Sequence, residues 1–435
     1  MTQTSSMWRR LTVAVSAIVC ALAVLALIEP ERSASAVPIF ARKYKTSCQT
    51  CHTVFPRLTP IGDAFRMNGH RFPSCDGAQV KEEPVSLGAE AYKDLWPASA
   101  VWPSELPGTA PFALVTRQNV VLWQKDSQQT SNFAGLNPWF DVYAAGTLGE
   151  NISVLGKFQL NGPSCQNCHS YFATTFQFVR GLTVKVGRFQ PELFNFHQQP
   201  FTEFHELFGP QRRVGANTWN YGKDLGIEAA AVFKGRVRVV LGIMEGQDDF
   251  SQPFQSKNGY VRVAYRLGGM RMDGQSDPGY TAPTKNWRDR SVQVGMMGYL
   301  GSTRVQTNDA VGAPVTVDDR MGVIGGDVNA MFDDWTLFGG GFAEQHGHPT
   351  GADRHVWVER YFAGLRYMPI PWFAGSVFFD YFNSELKGDM QYQARVRLEA
   401  LIRANIKLRV EAGMRRPVGE GLDFREVRVM FDVGL

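Results

Sequence analysis

Charge is scarce and nearly balanced in this chain: 20% of its 435 residues are Asp, Glu, Lys or Arg, and 45 basic against 41 acidic side chains leave a net +4. So small a surplus does not advertise a nucleic-acid partner, which is bound through a basic surface. Long apolar runs are also nearly absent. The only uninterrupted run able to span a bilayer as a helix is Leu11 to Ile28, and a mean hydropathy of −0.21 excludes a polytopic helical membrane protein. Any further crossing must be made by β-strands, whose half-polar alternation keeps hydropathy low. No Gly-rich nucleotide loop, Ser-His-Asp set or paired-carboxylate arrangement with local context is evident. What is present, 44% apolar and 12% aromatic residues with 43 Gly and 23 Pro, excludes a disordered chain, a coiled coil and a collagen-like one.

Arg9 and Arg10 precede the apolar run, and Ala34-Ser35-Ala36 follows it. This is the order of a secretory signal peptide over residues 1–36, with the mature chain starting at Val37; an uncleaved anchor helix is the alternative. Cys20 follows Val19, where a lipoprotein site needs a small residue, so no lipid anchor is expected there.

Beyond Cys20 the cysteines are Cys48, Cys51, Cys75, Cys165 and Cys168. Four of them make two copies of one motif, Cys48-Gln49-Thr50-Cys51-His52 and Cys165-Gln166-Asn167-Cys168-His169. C-x-x-C-H is the attachment signature of haem c. The two thiols add to the haem vinyl groups, and the adjacent imidazole of His52 or His169 becomes the proximal iron ligand. A zinc ribbon does not need His directly after each pair, and a plain disulfide needs no His at all. Cys75 is expected to be a spare thiol.

Around the first motif the segment reads Phe40-Ala41-Arg42, Cys48, Cys51-His52, Phe55-Pro56, Leu58, Pro60, Gly62, Phe65, Met67 and Gly69-His70. It resembles the N-terminal cytochrome segment of the fused outer-membrane cytochrome–porins, a family that includes the iron oxidases of iron-oxidising bacteria. The resemblance covers residues 37–72. It departs from the family pattern in two places: a second haem motif is present, and His70 stands where an aromatic residue commonly follows the glycine. The sixth iron ligand must return over the haem face, and Met67 and His70 are the candidates. Thioether ligation raises the potential, so an acceptor of electrons from Fe(II) favours Met67, which otherwise serves as packing beside Phe65.

Past residue 110 the pattern becomes period 2. Gln391, Gln393, Arg395, Arg397 and Glu399 alternate with Tyr392, Ala394, Val396, Leu398 and Ala400, one face polar and one apolar as a lipid-facing strand requires. Such segments fall near 111–124, 138–149, 151–162, 170–180, 181–190, 224–235, 236–247, 257–268, 290–302, 320–331, 334–345, 355–368, 371–383, 389–401, 403–414 and 423–435. They predict an all-β membrane protein, an antiparallel outer-membrane barrel of about 16 strands. Tight turns are expected at Glu150, Lys234-Gly235, Asp333, Ile370 and Ile402, with long loops on the other rim and residues 269–289 as the exception. Trp139-Phe140, Trp357, Tyr361-Phe362 and Trp372-Phe373 suit interfacial girdles. The last strand resembles an outer-membrane assembly signal, although the final residue is Leu where Phe is usual. A soluble β-sandwich is the alternative.

The expected division is therefore a signal peptide (1–36), a small, mostly helical haem segment (37–85), a linker or plug (86–110) and the barrel (111–435). Short turns face the periplasm, which puts His169, His197, His205, His346, His348 and His355 in or beside long outer loops. His197 or His205 is the expected distal ligand of the second haem. Arg262, Arg266, Arg395, Arg397, Lys407 and Arg409 are expected to make the lumen basic.

The function read from these features is electron transfer across the outer membrane. Haem c is expected to carry electrons from extracellular Fe(II) or another redox-active metal to a soluble periplasmic cytochrome, and the family resemblance implies Fe(II):cytochrome c oxidoreductase chemistry. The alternatives are export of respiratory electrons to an outer acceptor, and an anion-selective porin gated or sensed by its haem segment.

Overall fold

The computed structural model describes residues 38–53, 57–73, 76–81, 85–86, 105–106, 112–125, 139–148, 151–159, 171–195, 214–215, 217, 223–245, 257–278, 280–281, 285–308, 314–350, 355–386, 390–403, 406–417 and 424–434. The expected signal peptide, Cys75, the motif Cys165, Cys168 and His169, and His197 and His205 lie outside the described residues.

Three short helices open the described chain: α1 (Pro38–Tyr44), α2 (Pro60–Met67) and α3 (Asp76–Gln79), with a 3-10 turn at Cys48–Thr50. The dipeptide strands β1 (Val85–Ser86) and β2 (Glu105–Leu106) pair antiparallel. Sixteen further strands follow: β3 (Phe112–Lys125), β4 (Trp139–Leu148), β5 (Ile152–Gln159), β6 (Tyr171–Val179), β7 (Leu182–Phe189), β8 (Asp224–Phe233), β9 (Val237–Met244) and β10 (Asn258–Gly268). The second half comprises β11 (Arg290–Asn308), β12 (Pro314–Phe332), β13 (Trp335–His346), β14 (Val356–Ile370), β15 (Phe373–Ser384), β16 (Gln391–Arg403), β17 (Ile406–Pro417) and β18 (Phe424–Gly434). Each pairs with its neighbour in sequence and β18 pairs back to β3, closing the barrel.

The side-chain period of 2 explains why these sequences close in this way. Along β14 the odd-numbered Trp357, Tyr361, Leu365 and Tyr367 face out and the even-numbered Val358, Arg360, Phe362 and Arg366 face in. On β15, β16, β12 and β11, Phe379, Val396, Ile324 and Leu300 continue the exposed apolar belt. A closed barrel pairs every inner strand on both sides, which is the condition for strands to cross hydrocarbon. The chain is thus a membrane β-barrel of the outer-membrane type. No helix among the described residues is long and apolar enough to cross a membrane.

Every expected strand is present, and the 269–289 segment is a true connection from β10 to β11 on the tight-turn rim. Left-handed residues make two of the turns, Lys234 and Asp333, with φ of 48° and 53°. Three details differ from expectation. Ile370 ends β14, so that turn falls at Pro371-Trp372. Ile402 belongs to β16, where its 47% exposure continues the outer face. Phe362 is only 3% exposed and points inward, because adjacent residues on a strand cannot share a girdle.

The interior is packed. Residues 191–195, expected from sequence to begin an outer loop, fold into the lumen, where Phe194 meets Phe342 and Phe362 at ring distances of 5.3 and 5.9 Å. Arg262 makes a bidentate contact with Asp327 (2.8 and 3.0 Å) and donates to the Leu193 carbonyl. The expected basic lumen is instead charge-paired. Arg395 and Arg397 bond Glu411, Lys407 and Arg409 face Glu399, and Arg266 meets Asp63. Cations buried on an inner wall need such partners, because the uncompensated charge costs several kcal/mol, roughly 3–5 when one partner is removed.

Candidate functional site

The segment that carries the first C-x-x-C-H motif, with α1 and α2, is hydrogen-bonded to residues of the barrel near its tight-turn rim. Arg71 donates to the Ile152 carbonyl (2.5 Å), Ser153 to the Gly69 carbonyl (2.6 Å), and Lys43 to Thr147 (2.7 Å). Arg57 bonds Thr336, Gln177 bonds Asn68 and Asn286 bonds the Gln49 carbonyl. Most of these wall residues lie within a few positions of a tight turn or of the 269–289 connection.

Local sequence explains how the motif is held. The Thr50 N–H donates to the Ser47 carbonyl (3.0 Å), tightening the turn that carries Cys48. His52 and Leu58 pair as an isolated antiparallel bridge, which brings the chain back so that the Thr59 N–H donates to the Cys51 carbonyl (2.9 Å). Thr59 then caps α2: its hydroxyl accepts from the Gly62 N–H (3.1 Å) and donates to the Thr50 carbonyl (2.8 Å), with Pro60 at the first helical position. Gly62 is required at this crossing. A Cβ there would lie 2.0 Å from the Cys51 carbonyl oxygen, so only glycine lets the helix rest on the motif.

The end of α2 sets His70. Asn68 is the C-cap, the Gly69 N–H donates to the Arg66 carbonyl (3.1 Å) and the His70 N–H to the Phe65 carbonyl (2.9 Å), a Schellman arrangement. Gly69 and His70 have φ of 68° and 61°. The His70 ring stacks on Phe40 at 5.6 Å with an interplanar angle of 3°, and Phe65 meets both rings edge-on.

Cys51, His52, Met67 and His70 all line one cavity of about 260 Å³ between the plug and the barrel wall. Phe40, Phe65 and Phe72 supply its apolar side, and Lys185, Glu228, Arg238 and Arg266 face it from the wall. Burial first, then Arg66 and Lys185, push the His70 imidazole down to about 3, so it is neutral at ordinary pH. Burial would raise the Asp63 carboxyl, but Arg66 (2.8 Å) and Arg266 (2.5 Å) outweigh it and hold the group below its usual range. Glu192 in the inward segment is likewise depressed against its own burial, by the bidentate Arg238 contact (2.8 Å each) and by Arg66. Tyr260 donates to Glu228 (2.7 Å), which also pairs with Lys185.

The donor set fits a covalently attached haem: a Cys thiol, the adjacent imidazole and two further soft or imidazole donors share one cavity with an aromatic side. The described histidines of the other rim behave differently. His346 is clamped between Asp319 (2.7 Å) and Glu344 (3.0 Å), and the His348 N–H also bonds Asp319. Among the described residues no group of three or more His, Cys, Asp or Glu is arranged to hold a metal ion. Thr59, Gly62, Asp63, Phe40 and the inward segment 190–195 are site residues that sequence reasoning did not assign. The Thr-Pro start of α2 was the signal available for Thr59.

No family model matches the chain, and no curated protein matches it. Among solved structures it is similar to a loop L8 deletion mutant of the outer membrane protein OmpT of Vibrio cholerae, with 11% identity over 75% of this chain and 99% of that one and a TM-score of 0.49. It is also similar to an anion-selective porin from Comamonas acidovorans (12% identity, 74% and 98% covered, TM-score 0.46). The outer membrane channel DcaP of Acinetobacter baumannii gives 11% identity, 74% and 96% covered, and a TM-score of 0.44.

Proposed function

We propose that this barrel carries electrons across the outer membrane by means of a haem c attached inside its lumen. The donor in this reading is extracellular Fe(II) or another redox-active metal, and the acceptor a soluble periplasmic cytochrome. One observation carries the reading: the Cys51-His52 turn lines a lumen cavity together with Met67 and His70, with the barrel wall as its other side. When bound, the haem supplies one-electron exchange at its iron. Cys48 and Cys51 would hold it covalently and His52 would be its proximal ligand.

The chain's own residues do the rest. The aromatic plug residues Phe40, Phe65 and Phe72 give the cavity an apolar side that suits a haem ring. Asp63, Arg66 and Arg266 fix the plug against the wall. A hydrocarbon core about 25–30 Å thick is more than one haem at a rim can serve, so a position within the lumen suits a carrier reaching both sides. A second haem at Cys165, Cys168 and His169, with His197 or His205 as distal ligand, would extend the path towards the long loops. Export of electrons to an outer acceptor would use the same residues in reverse.

A second reading, a solute channel, is favoured by the barrel itself, since closed barrels of sixteen strands commonly enclose an aqueous channel. The pairing of the inner Arg and Lys residues with carboxylates speaks against selection for anions. Pyridine haemochrome assay and intact mass of the mature chain, together with planar-bilayer conductance, separate the two. Covalent haem with little conductance supports the carrier, and haem-free protein with steady conductance supports the channel.

A further inference from the structure

We propose that His70, and not Met67, is the second axial ligand of the lumen haem, so that the iron is held by two imidazoles, His52 and His70. The inference rests on the haem reading above and deepens it.

Four observations point the same way. His52 and His70 line the same cavity, and the His70 ring nitrogens take no hydrogen bond from or to any described residue. Its ring is already immobilised, stacked on Phe40 and flanked by Phe65, so little side-chain freedom is lost on ligation. Its backbone is held at φ 61°, an uncommon conformation for a non-glycine residue, by the hydrogen bond to the Phe65 carbonyl. This helix-ending turn is what brings the imidazole to the cavity. Met67, by contrast, is 4% exposed and packed with Ala264 of β10 and Met272 of the 269–289 connection. Its side chain is part of the cluster that seats the plug on the wall, and turning it towards an iron would loosen that packing.

Two imidazoles give a lower potential than His and Met. The donor to this site must then be correspondingly reducing, which narrows the proposed reaction to strongly reducing donors such as Fe(II) bound by oxygen ligands.

The test uses the full-length holoprotein in detergent, with covalent haem on the first motif established by peptide mass. Near-infrared magnetic circular dichroism and electron paramagnetic resonance of the ferric form then report the ligands. The expected result is a low-spin bis-imidazole signature in the wild type, unchanged in Met67→Leu. His70→Ala should become high-spin and return to low-spin on adding imidazole, and His70→Met should gain a thioether-to-iron band with a raised midpoint potential. A thioether band in the wild type that Met67→Leu abolishes, a high-spin wild type, or a low-spin His70→Ala without added imidazole overturns the inference while leaving the haem reading intact. Absence of covalent haem overturns both.

Discussion

Asp63 and Arg266, 203 positions apart in sequence, meet at 2.5 Å between the carboxylate Oδ2 and the guanidinium Nη2. The contact joins α2 to the inner face of β10 and ties the motif-bearing segment to the barrel. Arg266 is further held by Gln293 (2.9 and 2.6 Å), and Asp63 by Arg66 (2.8 Å).

Asp63→Asn should loosen this tie. It leaves Arg266 buried without its carboxylate, a loss at the lower end of roughly 3–5 kcal/mol because Gln293 remains as a partner. The plug should become cleavable by trypsin at Arg57 or Arg66 in folded barrels, and planar-bilayer conductance should rise. Unchanged protease resistance and conductance would show that the plug is held elsewhere.

The same pair sets a pH dependence. The folded Asp63 carboxyl sits below its ordinary value of about 3.9, so its stabilisation is fully present above that value and disappears as pH falls through the depressed one. Conductance of the wild type is therefore expected to stay flat from neutrality down to about pH 5 and to increase only in stronger acid. A rise centred between about pH 5 and 7 would assign the control to a different group.

Gly62→Ala should separate the motif from its supporting helix. The added methyl would stand 2.0 Å from the Cys51 carbonyl oxygen, a backbone atom that cannot rotate away. Overpacking of this kind costs about 1–3 kcal/mol, concentrated on the plug, so the barrel should still fold and resist detergent. The haem content of the purified variant is the readout, expected to drop several-fold against wild type.

Cys48→Ala and Cys51→Ala should each remove covalent attachment at the first motif, and His52→Ala should remove the proximal ligand with the haem still tethered. Peptide mass distinguishes these outcomes. Full haem retention after the double cysteine substitution would contradict the assignment of the motif.

The wall of this barrel is legible in its sequence because each strand needs only alternation, and alternation is local. The tall strands β11 and β12 ran past the expected limits because Asn308 and Pro314 still pair beyond the apolar stretch, where no hydropathy signal marks the pairing. The filling of the lumen was not legible. Phe338, Phe342 and Phe362 sit on the inner face among Arg, Asp and Gln, and an aromatic residue on the polar face of a strand announces a partner only once the partner is known. That partner is Phe194 for two of them, from a segment whose Pro-Glu-Leu-Phe run reads as an ordinary loop. The inward direction of the charged inner residues is legible from alternation, but their neutralisation depends on cross-strand register, as with Arg397 facing Glu411 and Arg409 facing Glu399. At the site, Cys51 and His52 were visible through their spacing. The stacking of His70 on Phe40 was not, because it joins two helices through a turn whose shape rests on Gly69 and the cap at Asn68.

Transmembrane electron transfer in oriented proteoliposomes tests the central proposal most directly. Holoprotein is reconstituted with its long loops outward, a soluble c-type cytochrome is trapped inside, and Fe(II) is added outside behind a lipid barrier that neither crosses. The trapped cytochrome should be reduced with the wild type, while vesicles carrying His52→Ala should reduce it at the rate of empty liposomes. Equal reduction with wild type and His52→Ala, or none with wild type bearing its haem, would contradict a haem-borne path through the barrel.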